Sequence, residues 1–221
     1  GAKIDKPTLH DNLDYLKQGL IDNLPETNFN YELQAAGTIP DHCNKVATGQ
    51  VFSDVNYSPV DFDVFNVRYD DCGDPWVFCH HKQSPITIDS MARQFGKLPI
   101  QMRQWIRHVI DVPAPAGWAF EFDGTITFLD PKDDMTPVII HETGHSLDLS
   151  GAYVDKPLSF SDKYFSELAQ DSHVPDSYSS TNAIENVAQN TVVAVFNENY
   201  PGGFGAVEPE YLSVSHQYFT L

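Results

Sequence analysis

Apolar residues fall in short clusters whose spacing changes along the chain. In residues 13–24 the leucines at 13, 16, 20 and 24 share one helical face and predict a short helix. The rest of the first sixty residues is broken by Asn, Pro, Gly and Asp and reads as irregular. Residues 62–69 are rich in aromatic and β-branched side chains and predict a strand. Residues 88–95 and 99–110 predict two helices. In the second, Met102, Trp105, Ile106 and Val109 recur at helical spacing, and Pro99 sits near the first turn, where its missing N–H costs nothing. Residues 118–122 and 125–129 are two β-like runs separated by Asp123-Gly124, which predicts a hairpin. Thr136 and Pro137 open a helix over 138–149 that Gly151 closes. Two more helices are predicted over 161–169 and 182–195, followed by a Gly-, Pro- and Tyr-rich tail.

These elements make an α+β fold. With 221 residues, 41% hydrophobic and 20% charged, the chain is long enough to bury a core. No linker divides it, so the expectation is one domain over 1–221, with an N-terminal extension at 1–60 and a core at 61–221. Lys and Arg total 13 against 31 Asp and Glu, a net charge of −18. Such a surface repels phosphate backbones and anionic lipids, which argues against nucleic-acid and membrane partners. No apolar run approaches the roughly 18 residues of a membrane span. Low Lys with high Asp, Tyr and Pro suits a secreted protein, whose leader would have been removed before Gly1, and a monomer is expected.

Three cysteines are present. Cys72 and Cys79 enclose six residues that contain the turn signal Gly73-Asp74-Pro75, so a small disulfide loop is expected there, with Cys43 free. Pairing of Cys43 with either of the others stays open. Asn56-Tyr57-Ser58 is a glycosylation sequon followed by Pro59.

The chemistry concentrates in His141-Glu142-Thr143-Gly144-His145. Histidines at i and i+4 lie one above the other on a helix, so both imidazoles can reach one zinc ion. Glu142 points beside the metal, where it can take a proton from water and hand it to a leaving amine. A third protein ligand is needed. The short metzincin continuation would place Gly at 148 and His at 151, but these positions hold Asp148 and Gly151. Downstream candidates are Glu167, His173, Asp176, Glu185, Glu198 and His216. Glu185 has the best setting, in the first turn of a helix capped by Thr181 or Asn182. Tyr178, seven residues earlier, can swing its hydroxyl toward a carbonyl and stabilise an oxyanion. Asp148 is expected either to orient a ligand histidine or to be solvated.

The HExxH helix, a gap of roughly forty residues and Tyr178-x6-Glu185-x-x-Ala188 resemble the catalytic domain of anthrax lethal factor and the related Pro-Pro endopeptidases, over about residues 118–190. The resemblance implies a zincin-like fold: a small, twisted, mostly antiparallel sheet, an HExxH helix and a second ligand helix. It implies zinc held by His141, His145 and Glu185, with Glu142 as general base and Tyr178 assisting. That group usually has Glu one turn after the third ligand, where this chain has Gln189. A Gln there can accept a hydrogen bond from a ligand imidazole but carries no charge. More broadly, Tyr69-Asp70-Asp71-Cys72 to Cys79 and residues 141–153 resemble the secreted fungal proteins called conidiation-specific.

The functional expectation is a secreted zinc metallopeptidase that hydrolyses peptide bonds of a protein or peptide substrate through a water activated by zinc. The substrate would lie extended along the edge of the 118–129 hairpin. The alternative is a non-catalytic zinc-binding protein, secreted or cell-wall-associated, on a zincin scaffold.

Overall fold

The computed structural model describes residues 1–153 and 156–221. In chain order the strands are β1 (Thr8–His10), β2 (Phe29–Leu33), β3 (Phe62–Tyr69), β4 (Trp76–His81), β5 (His108–Val112), β6 (Trp118–Phe122), β7 (Thr125–Leu129) and β8 (Val174–Asp176). The helices are α1 (Lys17–Asn23), α2 (Asp41–Ala47), α3 (Ile88–Phe95), α4 (Ile100–Arg103), α5 (Thr136–Leu149), α6 (Asp162–Gln170), α7 (Ala183–Asn199) and α8 (Ser215–Tyr218). Contacts divide the chain into two compact units, Pro25–Met135 and Gly1–Leu24 with Thr136–Leu221.

The unit Pro25–Met135 is built on a six-stranded mixed sheet in the order β2-β3-β4-β5-β7-β6. The pairs β2–β3, β3–β4 and β6–β7 are antiparallel, and β4–β5 and β5–β7 are parallel. The hairpin expected over 118–129 is present. Both turn residues have positive φ, 46° at Asp123 and 78° at Gly124, as the tight primed turn demands. β6 forms one edge of the sheet. α3 forms where expected. The Thr87 hydroxyl accepts the Ser90 N–H (3.1 Å), and Met91, Ala92 and Phe95 are buried.

Residues 99–110 differ from the sequence expectation. Only Ile100–Arg103 is helical, and His108–Val112 is a strand. Val109, Ile110 and Val112 are fully buried in a strand with parallel neighbours on both sides. Such a strand is apolar on both faces and shows no alternation, so its side chains imitate a helical stripe. β2, β4 and α2 also form in stretches read as irregular or as a loop.

The disulfide joins Cys43 to Cys79, with the Cα atoms 6.6 Å apart, and Cys72 is the free thiol. This corrects the expected Cys72–Cys79 loop. The β3–β4 hairpin sets the register: Cys79 lies opposite Val64, deep in the sheet, while Cys72 stays in the turn beyond Tyr69. Cys43 on α2 packs instead onto the sheet beside Cys79, Val64, Ile110 and Val112.

In the other unit, β1 and β8 form a parallel pair, with Thr8 opposite Val174 and His10 opposite Asp176. α5 and α7 pack face to face. α1 lies against α7 at Gly19, where a Cβ would fall 2.5 Å from Phe196. α6 is capped by Ser161, whose hydroxyl accepts the Tyr164 N–H (3.1 Å). Among the described residues no helix is long and apolar enough to cross a membrane.

The bridge spans a sequence separation of 36 residues, a loop whose closure is worth about 3–4 kcal/mol. Replacing Cys43 and Cys79 together by Ala is expected to lower the unfolding free energy by about that amount in a urea titration. Cys72→Ser should change it by less than about 0.5 kcal/mol.

Candidate metal centre

α5 and α7 bring the centre together. His141, Gly144 and His145 share one face of α5, since residues three and four apart on a helix are neighbours. On α7, Glu185, Ala188 and Gln189 share a face for the same reason. Asn182 caps α7: its Oδ1 accepts the N–H groups of Ile184 (2.9 Å) and Glu185 (3.1 Å), which fixes Glu185 in the first turn. Gly144 permits the close approach. A Cβ there would lie 2.9 Å from Thr191 Oγ1 and 3.1 Å from the Ala188 Cα.

The three expected ligands converge. His141 Nε2 and His145 Nε2 are 3.1 Å apart, and each is 3.3 Å from Glu185 Oε2. Four ligands at about 2.0–2.1 Å around tetrahedral zinc stand roughly 3.3 Å from one another, so these separations fit one shared ion. Glu185 Oε2 is buried beside the two imidazoles. Burial by itself would raise the Glu185 carboxyl, but hydrogen bonding and charge interaction with His141 and His145 outweigh it and hold the group well below the usual carboxylate range. Among the described residues this is the one cluster of three or more His, Cys, Asp or Glu side chains that could hold a metal ion.

Glu142 is 5% exposed and follows the first ligand on α5. The Tyr178 ring stands 5.5 Å, centroid to centroid, from that of His141. Burial, the charges of Glu185 and Glu142 and a hydrogen bond to Glu185 push the Tyr178 phenol up to about 12. It therefore keeps its O–H at any physiological pH and remains a donor.

The other downstream candidates lie elsewhere. Glu167 and His216 pair with each other (3.2 Å), and His173 bonds Ser172 (2.9 Å). Gln189 Oε1 lies 2.9 Å from His141 Nδ1, beside a ligand imidazole as its position one turn after Glu185 suggests. Asp176 does not reach the cluster but hydrogen-bonds Gln189 from behind, a role its position in the sequence does not reveal. Asp148 is fully buried rather than solvated. Its Oδ1 accepts the Ser159 N–H (2.9 Å), and burial raises its carboxyl despite the Ser159 hydrogen bonds.

The glycine contact sets a measurable limit. Gly144→Ala gains about 1 kcal/mol of helix propensity but overpacks a helix interface, at a cost of about 1–3 kcal/mol. The expected net result is a loss of up to about 2 kcal/mol in a denaturant titration, together with weaker zinc binding by calorimetry as the ligand helices move apart.

A sequence family described as conidiation-specific protein Con-13 matches residues 9–204. A curated relative, conidiation-specific protein 13 of Neurospora crassa, is 29% identical over 181 residues, which cover 81% of this chain and 52% of the relative. The chain thus spans about half the length of that protein. No solved structure matches the chain. The cluster supports a zincin-like site without singling out the lethal factor group. The broader of the two sequence resemblances is the one the family match carries. Since the matched span takes in most of both units and all three converging side chains, the chain belongs to the Con-13 family of conidiation-specific proteins.

Proposed function

We propose that this chain is a secreted zinc metallopeptidase. The observation that carries the reading is the convergence of two imidazole nitrogens and one carboxylate oxygen at 3.1–3.3 Å, on the helix that also carries Glu142 and beside Tyr178. Zinc held by His141, His145 and Glu185 would supply a Lewis acid that polarises a peptide carbonyl and makes water more acidic.

The chain's own groups do the rest. The Glu142 carboxylate accepts a proton from the attacking water and returns it to the departing amine. The Tyr178 hydroxyl, still protonated, donates to the carbonyl oxygen as negative charge develops there. Asn182 fixes Glu185 in the first turn of α7, and Gly144 lets that helix come close to the histidines. The acidic composition and the Cys43–Cys79 bridge support secretion, because disulfides persist in oxidising compartments.

A second reading, a zinc-binding protein without catalysis, is favoured by Gln189, which puts a neutral amide rather than a carboxylate against His141. A digest of a broad peptide library by the zinc-loaded chain separates the two. Cleavage is expected, and Glu142→Ala should lower its rate by about 10²–10⁴-fold with bound zinc unchanged. Tyr178→Phe should lower kcat by about 10²-fold, and Glu185→Ala should abolish tight zinc binding. Stoichiometric zinc with no peptide cleaved would support the second reading, and a chain that takes up no zinc would sink both.

A further inference from the structure

We propose that Asp176 is the positioning residue of this centre: one buried carboxylate sets the tautomer of His141 through Gln189 and folds the turn that carries Tyr178. The inference deepens the metallopeptidase reading and rests on it for its catalytic meaning.

Asp176 closes β8 and is 1% exposed. Its Oδ1 accepts both the backbone N–H (2.8 Å) and the hydroxyl (2.7 Å) of Ser179. Its Oδ2 accepts from Gln189 Nε2 (2.6 Å). Three donors thus converge on one side chain, as an ionised carboxylate requires. A carboxylate cannot donate, so the amide of Gln189 has one possible orientation: NH₂ toward Asp176 and carbonyl toward His141. Gln189 Oε1 lies 2.9 Å from His141 Nδ1, and since an oxygen there can only accept, Nδ1 must carry the proton. In the neutral imidazole this places the lone pair on His141 Nε2, the atom 3.3 Å from Glu185 Oε2. The tautomer able to bind a metal is therefore fixed two residues away from the cluster.

The same carboxylate shapes the loop. By holding Ser179 it closes residues 176–179 into a turn, and Tyr178 sits within that turn, its ring against His141. Thr181 N–H then bonds the Tyr178 carbonyl (3.0 Å), and Asn182 starts α7. β8 itself is anchored by β1 and by the Val174 N–H to the Pro7 carbonyl (2.9 Å). His145 lacks any such relay. Its Nδ1 is buried and makes no hydrogen bond within the described protein.

In this arrangement Gln189 is not a weakened glutamate. The negative charge sits one residue further out, and the amide passes on its direction. Such a design predicts that exchanging the two groups is tolerated while changing one is not. With Asp176→Asn, the new amide can donate to Gln189, which is then free to turn over and present its NH₂ to His141 Nδ1. The proton would move to Nε2 and the ligand would be lost.

The test compares wild type, D176N, Q189M and the exchange variant D176N/Q189E. The His141 tautomer is read by ¹⁵N NMR of the imidazole in metal-free protein, and zinc affinity by competition with a chelator. Wild type should show protonated Nδ1. D176N and Q189M should each lose that signature and bind zinc about 10- to 100-fold more weakly. The exchange variant, with its carboxylate directly on Nδ1, should recover both to within a few-fold. A purely structural role for Asp176 would not be rescued by the exchange, which leaves Asn at 176. Wild-type tautomer and affinity in Q189M would overturn the relay, whether or not D176N folds, and so would an unprotonated Nδ1 in the wild type. Because the tautomer is read without metal, a wild type that binds no zinc would sink the metallopeptidase reading alone.

Discussion

Everything at the centre depends on how closely α5 and α7 approach. Two helices normally stand 8–10 Å apart, depending on the side chains at the crossing. Here the crossing holds Gly144 on one side and Ala188 on the other, with Thr191 one turn further along α7. A larger residue at 144 would separate the helices by more than the metal–ligand distance tolerates. The tolerance is a few tenths of an ångström, because a metal bond falls off steeply away from its ideal length. The glycine in the motif is therefore a spacing element as well as part of a sequence pattern, and the His141–His145 pair meets Glu185 only because of it.

The second constraint is electrostatic. The chain carries a net charge of −18, yet it buries carboxylates at Glu142 and Asp148 beside the motif histidines and at Asp176 behind Gln189. Burying such groups costs several kcal/mol each unless hydrogen bonds or cations compensate. Asp176 is compensated by Ser179 and Gln189, and Asp148 in part by Ser159. Glu185 leans on two imidazoles, which a dication would neutralise far more effectively. The surplus of negative charge near the centre is thus intelligible as the counterpart of a bound cation.

The centre was more legible in the sequence than the sheet, for physical reasons. α5 and α7 announce themselves by local rules: a fixed i, i+4 spacing, a capping asparagine and a proline at the first turn. These need no knowledge of what lies opposite. β5 is defined by its neighbours, and its run of Val109, Ile110 and Val112 satisfies a helical stripe equally well until parallel partners cover both sides. The disulfide likewise depends on register, since one turn of hairpin geometry decides that Cys79 faces α2 and not Cys72. Asp176 belongs with these. Its chemistry could be guessed from its type, but its placement behind Gln189 comes from β1–β8 pairing, which no local pattern encodes.

That pairing has a temporal consequence. The unit bearing the centre is assembled from both ends of the described sequence: Lys6 bonds Asp171, 165 residues further on, and His10 pairs with Glu208, 198 residues further on. During synthesis the early segment leaves the ribosome long before its partners exist, while the intervening sheet can already form. Loop-closure entropy for such distant ends is then met late, when α7 arrives. His141 and His145 emerge before Glu185, so the three side chains that converge on α5 and α7 can meet only once α7 has been made.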